Sequence, residues 1–216
     1  MTFWRSADTW RRVAQKQLRR SQAAVATRDW RVATVANQRA QVAIERAAAA
    51  SELTSKDEQV LASLHYDLTE IHSVGGHLYA AVAQAEKAWQ LYHRLDPSCG
   101  DPAKVNNTLG AEDEQAVAHA ADALVRLARL RAMRLVQSRQ LAEEDSRSSG
   151  HYQHIGGQPL SPADIQERAW VREHAELAVT RYERLTRIST RYGEPDLARV
   201  RSGRDRALAA LRDLGG

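Results

Sequence analysis

A chain of 216 residues is long enough to form one large domain or two small ones, with a buried core. Apolar residues make up 43% and charged residues 27% of the sequence, which excludes wholesale disorder. Helix formers dominate and there are only five prolines, so the composition predicts an all-α protein. The single cysteine, Cys99, excludes an intramolecular disulfide and a zinc site built on several thiolates.

The sequence contains neither a signal-peptide pattern at its N-terminus nor an apolar stretch of the about 20 residues that a membrane span requires. We therefore expect a cytoplasmic protein that does not contact a membrane. The basic residues are 27 Arg and only 4 Lys, a bias that is typical of a GC-rich bacterial source.

The formal net charge of +4 is distributed unevenly along the chain. It is +6 for residues 1–52, −3 for 53–100, −2 for 101–145 and +3 for 146–216. A pI of 9.4 would suit a nucleic-acid partner, but basic ends around an acidic middle also describe the solvated surface of a helical protein. The charge pattern therefore leaves both interpretations open.

The first two predicted helices run from near Phe3 to Ala26 and from a cap at Asp29 to about Ser51. Ser55, followed three residues later by Glu58, forms a capping-box pattern that opens a third helix.

The third helix is predicted to end at Gly75-Gly76, where the absent Cβ permits a left-handed turn. The fourth ends before Asp96-Pro97, because a residue that precedes proline disfavours the helical region. Residues 1–97 are thus predicted to form N-terminal helical hairpins.

Composition predicts a loop over residues 98–110. A C-terminal helical region follows over 111–216, with a fifth helix from Ala111 to about Glu143 and a long loop over 143–161.

Ser161 is predicted to cap a sixth helix, with Pro162 in its first turn and Asp164 near the positive end of its dipole. This helix ends at Gly193, and the last helix begins at Glu194-Pro195.

A regular spacing of side chains surrounds the predicted turn at Gly76. It comprises His65, Leu68, Thr69 and His72 before the turn, and Ala81, Ala85 and Ala88 after it. The arrangement resembles a tetratricopeptide repeat (TPR), a helix–turn–helix unit of about 34 residues whose first helix reads W-x2-L-G-x2-Y, although the family's Trp and Tyr are absent here. Small side chains in the second helix would let two helices cross closely.

Two further segments match this pattern more weakly. They contain Ser21, Ala24, Trp30, Ala33 and Ala40 near the N-terminus, and Tyr182, Leu185, Thr186, Gly193 and Ala198 near the C-terminus. The aligned alanines Ala33, Ala81 and Ala198 lie 48 and 117 residues apart, which are not multiples of 34. The sequence therefore predicts a degenerate repeat: about seven helices in antiparallel hairpins, stacked as a short TPR-like α-solenoid.

The resemblance implies a concave surface, lined by the first helix of each unit, that binds a protein or peptide. The implied lining residues are Ser63, Tyr66, Glu70 and Ser73 in the middle unit, Thr180, Glu183, Arg187 and Arg191 in the last unit, and Gln15, Leu18 and Gln22 in the first. The alternative is that these residues form ordinary solvated helix faces, with Glu183 and Arg187 as a surface pair.

Histidines invite a metal interpretation, but His65 and His72 lie about 10.5 Å apart along one helix, too far for one ion. We predict no metal and no cofactor. The loop residues His151, Tyr152 and His154 could form a lid, a clamp that closes on a partner, or a disordered insertion.

A basic stripe on the first predicted helix could contact phosphates, solvent or a protein partner. It consists of Arg5, Arg12 and Arg19, with Lys16 and Arg20 beside them. No spacing in the sequence identifies a catalytic site, and Cys99 near His93 is weak support for a nucleophile.

These observations favour a non-catalytic scaffold or regulatory adaptor that binds a protein or peptide. One alternative is a nucleic-acid-associated accessory protein that uses the basic terminal helices. Another is a small-molecule or metal enzyme with a site among the central helices, near His65, His72 and His119.

Overall fold

The computed structural model describes residues 6–96, 111–148, 161–188 and 194–213, and within these ranges the chain is all-α. The described helices are α1 (Ala7–Ala26), α2 (Trp30–Ala50), α3 (Ser55–Val74), α4 (Leu78–Leu95), α5 (Ala111–Ser148), α6 (Pro162–Ile188) and α7 (Glu194–Asp213). The predictions of an all-α fold and of about seven helices are confirmed.

Several predicted helix ends are confirmed by hydrogen bonds at the caps. The Asp29 carboxylate accepts the Val32 backbone N–H at 3.1 Å, and the Ser161 hydroxyl oxygen accepts the Asp164 N–H at 3.1 Å. The helix α4 ends at Leu95, immediately before Asp96.

The predicted capping box at the start of α3 is wrong by one residue. The N-cap is Thr54, whose hydroxyl oxygen accepts the Asp57 N–H at 3.2 Å, while the Asp57 carboxylate accepts the Thr54 N–H at 2.9 Å. Thr54 and Ser55 offer the same local pattern, and the difference is tertiary: Arg11 of α1 donates to both carboxylate oxygens of Asp57, at 3.1 and 2.9 Å.

The helix α5 continues to Ser148 rather than ending near Glu143. No glycine or proline interrupts the chain before Gly150, so local sequence gives the helix no reason to stop earlier. The predicted ends at Phe3 and Gly193 lie outside the described residues.

The chain divides into two compact units, Met1–Ala123 and Leu124–Gly216, and α5 contributes its first part to one and its second part to the other. In the first unit, α1 and α2 pair as a hairpin, α3 and α4 pair as a second hairpin, and α3 also packs against both α1 and α2. The helices are therefore stacked in pairs.

The contact between the two hairpins combines small and branched side chains with polar links. Its buried cluster contains Ala14, Ala40, Ala43, Ile44, Val60 and Leu64. Two hydrogen bonds join α1 to α3: Ser21 donates to Asp67 at 2.7 Å, and Arg11 donates to Asp57 at 2.9 Å. The partners are 46 residues apart in both pairs, so the two helices run parallel to each other. Asn37 of α2 adds a bond to the Leu64 carbonyl at 2.8 Å. Such buried bonds fix the register in which the hairpins stack.

The second hairpin repeats the first at an interval of 48 residues. The helices α1 and α3 begin at Ala7 and Ser55, and α2 and α4 begin at Trp30 and Leu78. Side chains at this interval are buried in both copies, in the pairs Ala14 and Ala62, Ser21 and Thr69, Ala33 and Ala81, Ala40 and Ala88, and Ile44 and Tyr92. The two hairpins therefore correspond at the same 48-residue interval that separates Ala33 from Ala81 in the sequence, which is compatible with a helical repeat.

The contact that follows the second hairpin uses the same positions again. Ala120 and Ala123 of α5 pack against Ala62 and Tyr92, as Val60 and Leu64 of α3 pack against Ala14 and Ile44. The first part of α5 thus takes the place of the next first helix in the stack.

The second unit is built from α6, α7 and the second part of α5. Ala128 of α5 packs against Val171 and Ala175 of α6. Between α6 and α7, a Cβ on Gly203 would overlap the buried ring of Tyr182, so only glycine lets these two helices approach this closely.

Candidate partner-binding groove

Two of the four α3 residues predicted to line a groove are occupied by contacts within the first unit. The Ser63 hydroxyl donates to the Gln59 carbonyl at 3.0 Å and lies 2.9 Å from the Tyr92 hydroxyl. Tyr66 is half-buried and packs against the cluster formed by Ala62 and Tyr92 with α5. Burial raises the pKa of Tyr92 to about 12, so this phenol remains a neutral hydrogen-bonding group.

The other two, Glu70 and Ser73, lie nearer the C-terminal end of α3. Ser73 is exposed and Glu70 is half-buried. Glu70 also borders a pocket of about 320 Å³, which we call the turn pocket. Its walls are Val25 and Ala26 of α1, Arg28 of the α1–α2 turn, Trp30 of α2, and Glu70 and Val74 of α3.

The turn pocket lies between equivalent parts of the two stacked hairpins. Ala26 and Val74 are the last residues of α1 and α3 and are related by the 48-residue interval. Val74 is 54% exposed, so its apolar side chain is available to a ligand. The pocket combines this aliphatic surface with two charged side chains, Arg28 and Glu70.

Arg28 carries an unusual backbone conformation, with φ at 59°. The equivalent residue in the second hairpin is Gly76, with φ at 74°. The left-handed region is almost free for glycine and unfavourable for a residue with a Cβ. This conformation closes the C-terminus of α1, where the Asp29 N–H donates to the Ala24 carbonyl at 2.8 Å, and glycine is the usual residue in such a cap.

Sequence reasoning missed most of the turn pocket. Val25, Ala26, Arg28 and Val74 gave no signal by themselves, because two segments distant in the sequence, 25–30 and 70–74, form the pocket. One signal was present: the turn residue 48 positions before Gly76 is an arginine.

Of the predicted lining residues of α1, some are exposed and one is used in internal packing, as in α3. Gln15 and Gln22 are exposed, while Leu18 packs against the buried cluster between the hairpins.

The described part of the basic stripe, Arg12, Lys16, Arg19 and Arg20, is exposed on α1, and Arg5 lies outside the described residues. Arg12 and Lys16 occupy the positions at which α3 buries Val60 and Leu64. The stripe therefore covers the face that α3 uses to pack on a preceding hairpin.

The C-terminal set of predicted lining residues belongs to the second unit. Thr180 and Glu183 are exposed one turn apart on α6, and the Thr180 hydroxyl donates to the Glu176 carbonyl at 3.0 Å. Arg187 lies in α6, and its side chain is not described; Arg191 lies outside the described residues, as do the loop residues His151, Tyr152 and His154.

The central histidines make separate contacts. His65 pairs with Gln84 of α4 at 2.7 Å, and burial lowers the pKa of His65 against the raising effect of that hydrogen bond. His72 lies beside His77, with ring centroids 6.2 Å apart, whereas His119 lies 5.3 Å from Tyr92. Within the described ranges, no three His, Cys, Asp or Glu side chains are grouped to bind a metal ion. Cys99 falls outside these ranges.

A charged and aromatic cluster stabilises the contact between α5 and α6 in the second unit. Glu167 accepts hydrogen bonds from Arg131 at 3.2 Å and from Arg134 at 2.6 Å. The Arg131 guanidinium also lies 3.8 Å from the centre of the Trp170 ring, against which His174 stacks. We assign this cluster a structural role, because its groups face one another across the helix contact.

Comparison of the chain with protein-family models, curated proteins and solved structures finds no match. Among the described helices, none combines the length and the apolar content needed to cross a membrane.

Proposed function

We propose that the chain is a non-catalytic, TPR-like helical-repeat module that binds a protein or peptide and acts as a scaffold or adaptor. The observation that carries this proposal is the turn pocket, which opens between equivalent positions of two stacked hairpins. In this view the groove side of the stack is formed by first helices, and Gln15, Gln22, Glu70 and Ser73 are its accessible residues.

The packing of small residues supports the TPR-like part of the proposal. Ala81, Ala85 and Ala88 are all buried, as are the first-hairpin residues Ala33 and Ala40. Small side chains at these positions allow helices to approach closely, which is what the family pattern implies. The longer period of 48 residues is accommodated by longer helices.

The experiment compares two exposed valines. The purified chain is immobilised and used to capture proteins from extracts of the source organism, which are identified by mass spectrometry. The variant Val74→Gln removes an apolar wall of the turn pocket, whereas Val42→Gln makes the same change on α2, where Val42 is 45% exposed. We expect Val74→Gln to lose specific partners and Val42→Gln to retain them, with equal helicity by circular dichroism.

Equal capture by the two variants, or no capture above background by the unmodified chain, would contradict the proposal. Tyr66→Ala is a poorer test, because Tyr66 packs against α4 and α5 and its loss would disturb the fold.

A further inference from the structure

We propose that the turn pocket recognises an acidic peptide segment, accepting one apolar side chain while Arg28 pairs with a neighbouring carboxylate of that segment. This inference rests on the proposed function and specifies the partner's chemistry.

The walls of the turn pocket define the apolar part of the ligand. Val25, Ala26 and Val74 supply aliphatic surface, and Trp30 is half-buried beside them. A volume of about 320 Å³ is at the lower end for ligand pockets, so one or two side chains fill it. Aromatic residues in such pockets contribute strongly to binding.

The charge around the turn pocket defines the rest of the ligand. Residues 1–52 carry a formal charge of +6. Arg28 is exposed where it borders the pocket, whereas Arg12 and Arg19 lie on the outer face of α1 and are not among the lining residues. A segment that enters the pocket therefore meets the Arg28 guanidinium. Acidic residues in that segment would be attracted at long range and retained by Arg28.

The backbone at position 28 supplies an independent argument. The second hairpin uses glycine at the equivalent turn position, with the same sign of φ. A glycine at position 28 would adopt this positive φ without steric strain, whereas arginine makes the folded chain less stable than glycine would. The Arg28 guanidinium borders the pocket, where it can pair with a carboxylate of the ligand. This role explains why the position holds arginine rather than the more stable glycine.

Glu70 restricts how the ligand is oriented. Its carboxylate borders the same pocket and disfavours a negative charge beside it. The acidic residues of the ligand therefore lie toward Arg28, and its apolar side chain lies against Val74 and Val25. A nucleic acid fits less well, since its backbone brings no apolar side chain and would place phosphates near Glu70.

The probe is a phage-displayed library of random 12-residue peptides, selected on the full-length chain. Enriched peptides are synthesised with a fluorophore, and their dissociation constants are measured by anisotropy. Four proteins are compared: the unmodified chain, Arg28→Gly, Glu70→Gln and Arg39→Ala. Arg28→Gly preserves the turn, because glycine accepts a positive φ. Arg39→Ala removes an equal charge from an exposed position nine residues beyond Trp30 on α2, and serves as the control.

We expect enriched peptides to combine Asp or Glu with an aliphatic or aromatic residue. Arg28→Gly should weaken their binding about two- to fivefold, as the loss of a partly exposed ion pair does. Glu70→Gln should tighten binding by a similar factor, and Arg39→Ala should leave it unchanged.

Three results would overturn the inference, and they differ in what they say of the proposed function. Enrichment of neutral or basic peptides whose binding is insensitive to Arg28→Gly rejects the acidic ligand and leaves peptide binding intact. Displacement of the bound peptide by a random 20-base-pair duplex at an equal concentration of charges indicates a nucleic-acid surface instead. No enrichment over the unselected library rejects both the acidic ligand and peptide binding by this chain.

Discussion

Asp57 connects local helix capping to tertiary packing through one carboxylate. It closes the N-terminus of α3 with Thr54, and it accepts the Arg11 side chain of α1. Burial alone would raise the pKa of Asp57, but the hydrogen bonds from Thr54 and Arg11 together hold it below its usual value. The folded chain therefore favours the ionised Asp57 carboxylate, which contributes to the contact between α1 and α3.

We expect Asp57→Ala to lower the free energy of unfolding by about 1–3 kcal/mol, because it removes both the cap of α3 and the hydrogen bonds from the half-buried Arg11 side chain. Asp8→Ala is the matched control. Asp8 also contacts Arg11, at 3.3 Å, but its side chain is 76% exposed, so its loss should cost about 0.5 kcal/mol or less. Urea denaturation followed by circular dichroism measures both. Equal costs for the two variants would show that Asp57 has no special role in the stack.

Individual residues also show where sequence reasoning succeeds. Asp29 and Ser161 were predictable as caps, because an N-cap needs only its own side chain and the next turn of backbone. The choice of Thr54 over Ser55 was not predictable, because both satisfy the local pattern and Arg11 lies 46 residues from Asp57. Arg28 was missed for the same reason: its importance appears only when α3 brings Glu70 and Val74 opposite it.

At the scale of the helix, the contact inside each hairpin depends on small side chains. Ala81 in α4 is completely buried, and so is its first-hairpin equivalent Ala33 in α2. The burial of Ala81, Ala85 and Ala88 was predictable from their spacing, because three- and four-residue steps place residues on one helix face. The 48-residue interval between Ala33 and Ala81 was also visible in the sequence, but its extension to the other buried pairs, such as Ala14 with Ala62, was not, because the family pattern fixes only the residues around the turn.

We expect Ala81→Leu to destabilise the chain by about 1–3 kcal/mol, because three added heavy atoms have no space between the helices. Ala83→Leu adds the same atoms at an exposed position of α4 and should change stability by less than about 0.5 kcal/mol. Thermal and urea unfolding of the two variants give the comparison. If Ala81→Leu were tolerated as well as Ala83→Leu, close packing in the hairpin would not be what stabilises it.

At the scale of the whole chain, stability should fall on acidification in two stages. Burial lowers the pKa of His65, so the unfolded chain binds a proton more readily than the folded chain does, and the loss of stability begins as pH falls through about 6.5. His174 in the second unit contributes in the same direction, also through burial. Asp57 acts later: its lowered pKa stabilises the fold above about pH 3.9, and this is lost at lower pH.

His65→Gln tests the first stage of this pH dependence. Glutamine occupies the equivalent position 17 in the first hairpin, so the substitution is compatible with the packing. The melting temperature of the variant should decrease less between pH 7.5 and 5 than that of the unmodified chain, and His174 contributes to the decrease that remains. An unchanged decrease, or a melting temperature that rises on acidification, would contradict this assignment.

The charged face of α1 has a consequence for how copies of the chain behave at high concentration. Where α3 presents Val60 and Leu64 to a preceding hairpin, α1 presents Arg12 and Lys16 to solvent. Another molecule that offered its own hairpin to this face would have to desolvate these two cations. Stacking a second molecule there therefore costs more than the stacking of α3 on the first hairpin does.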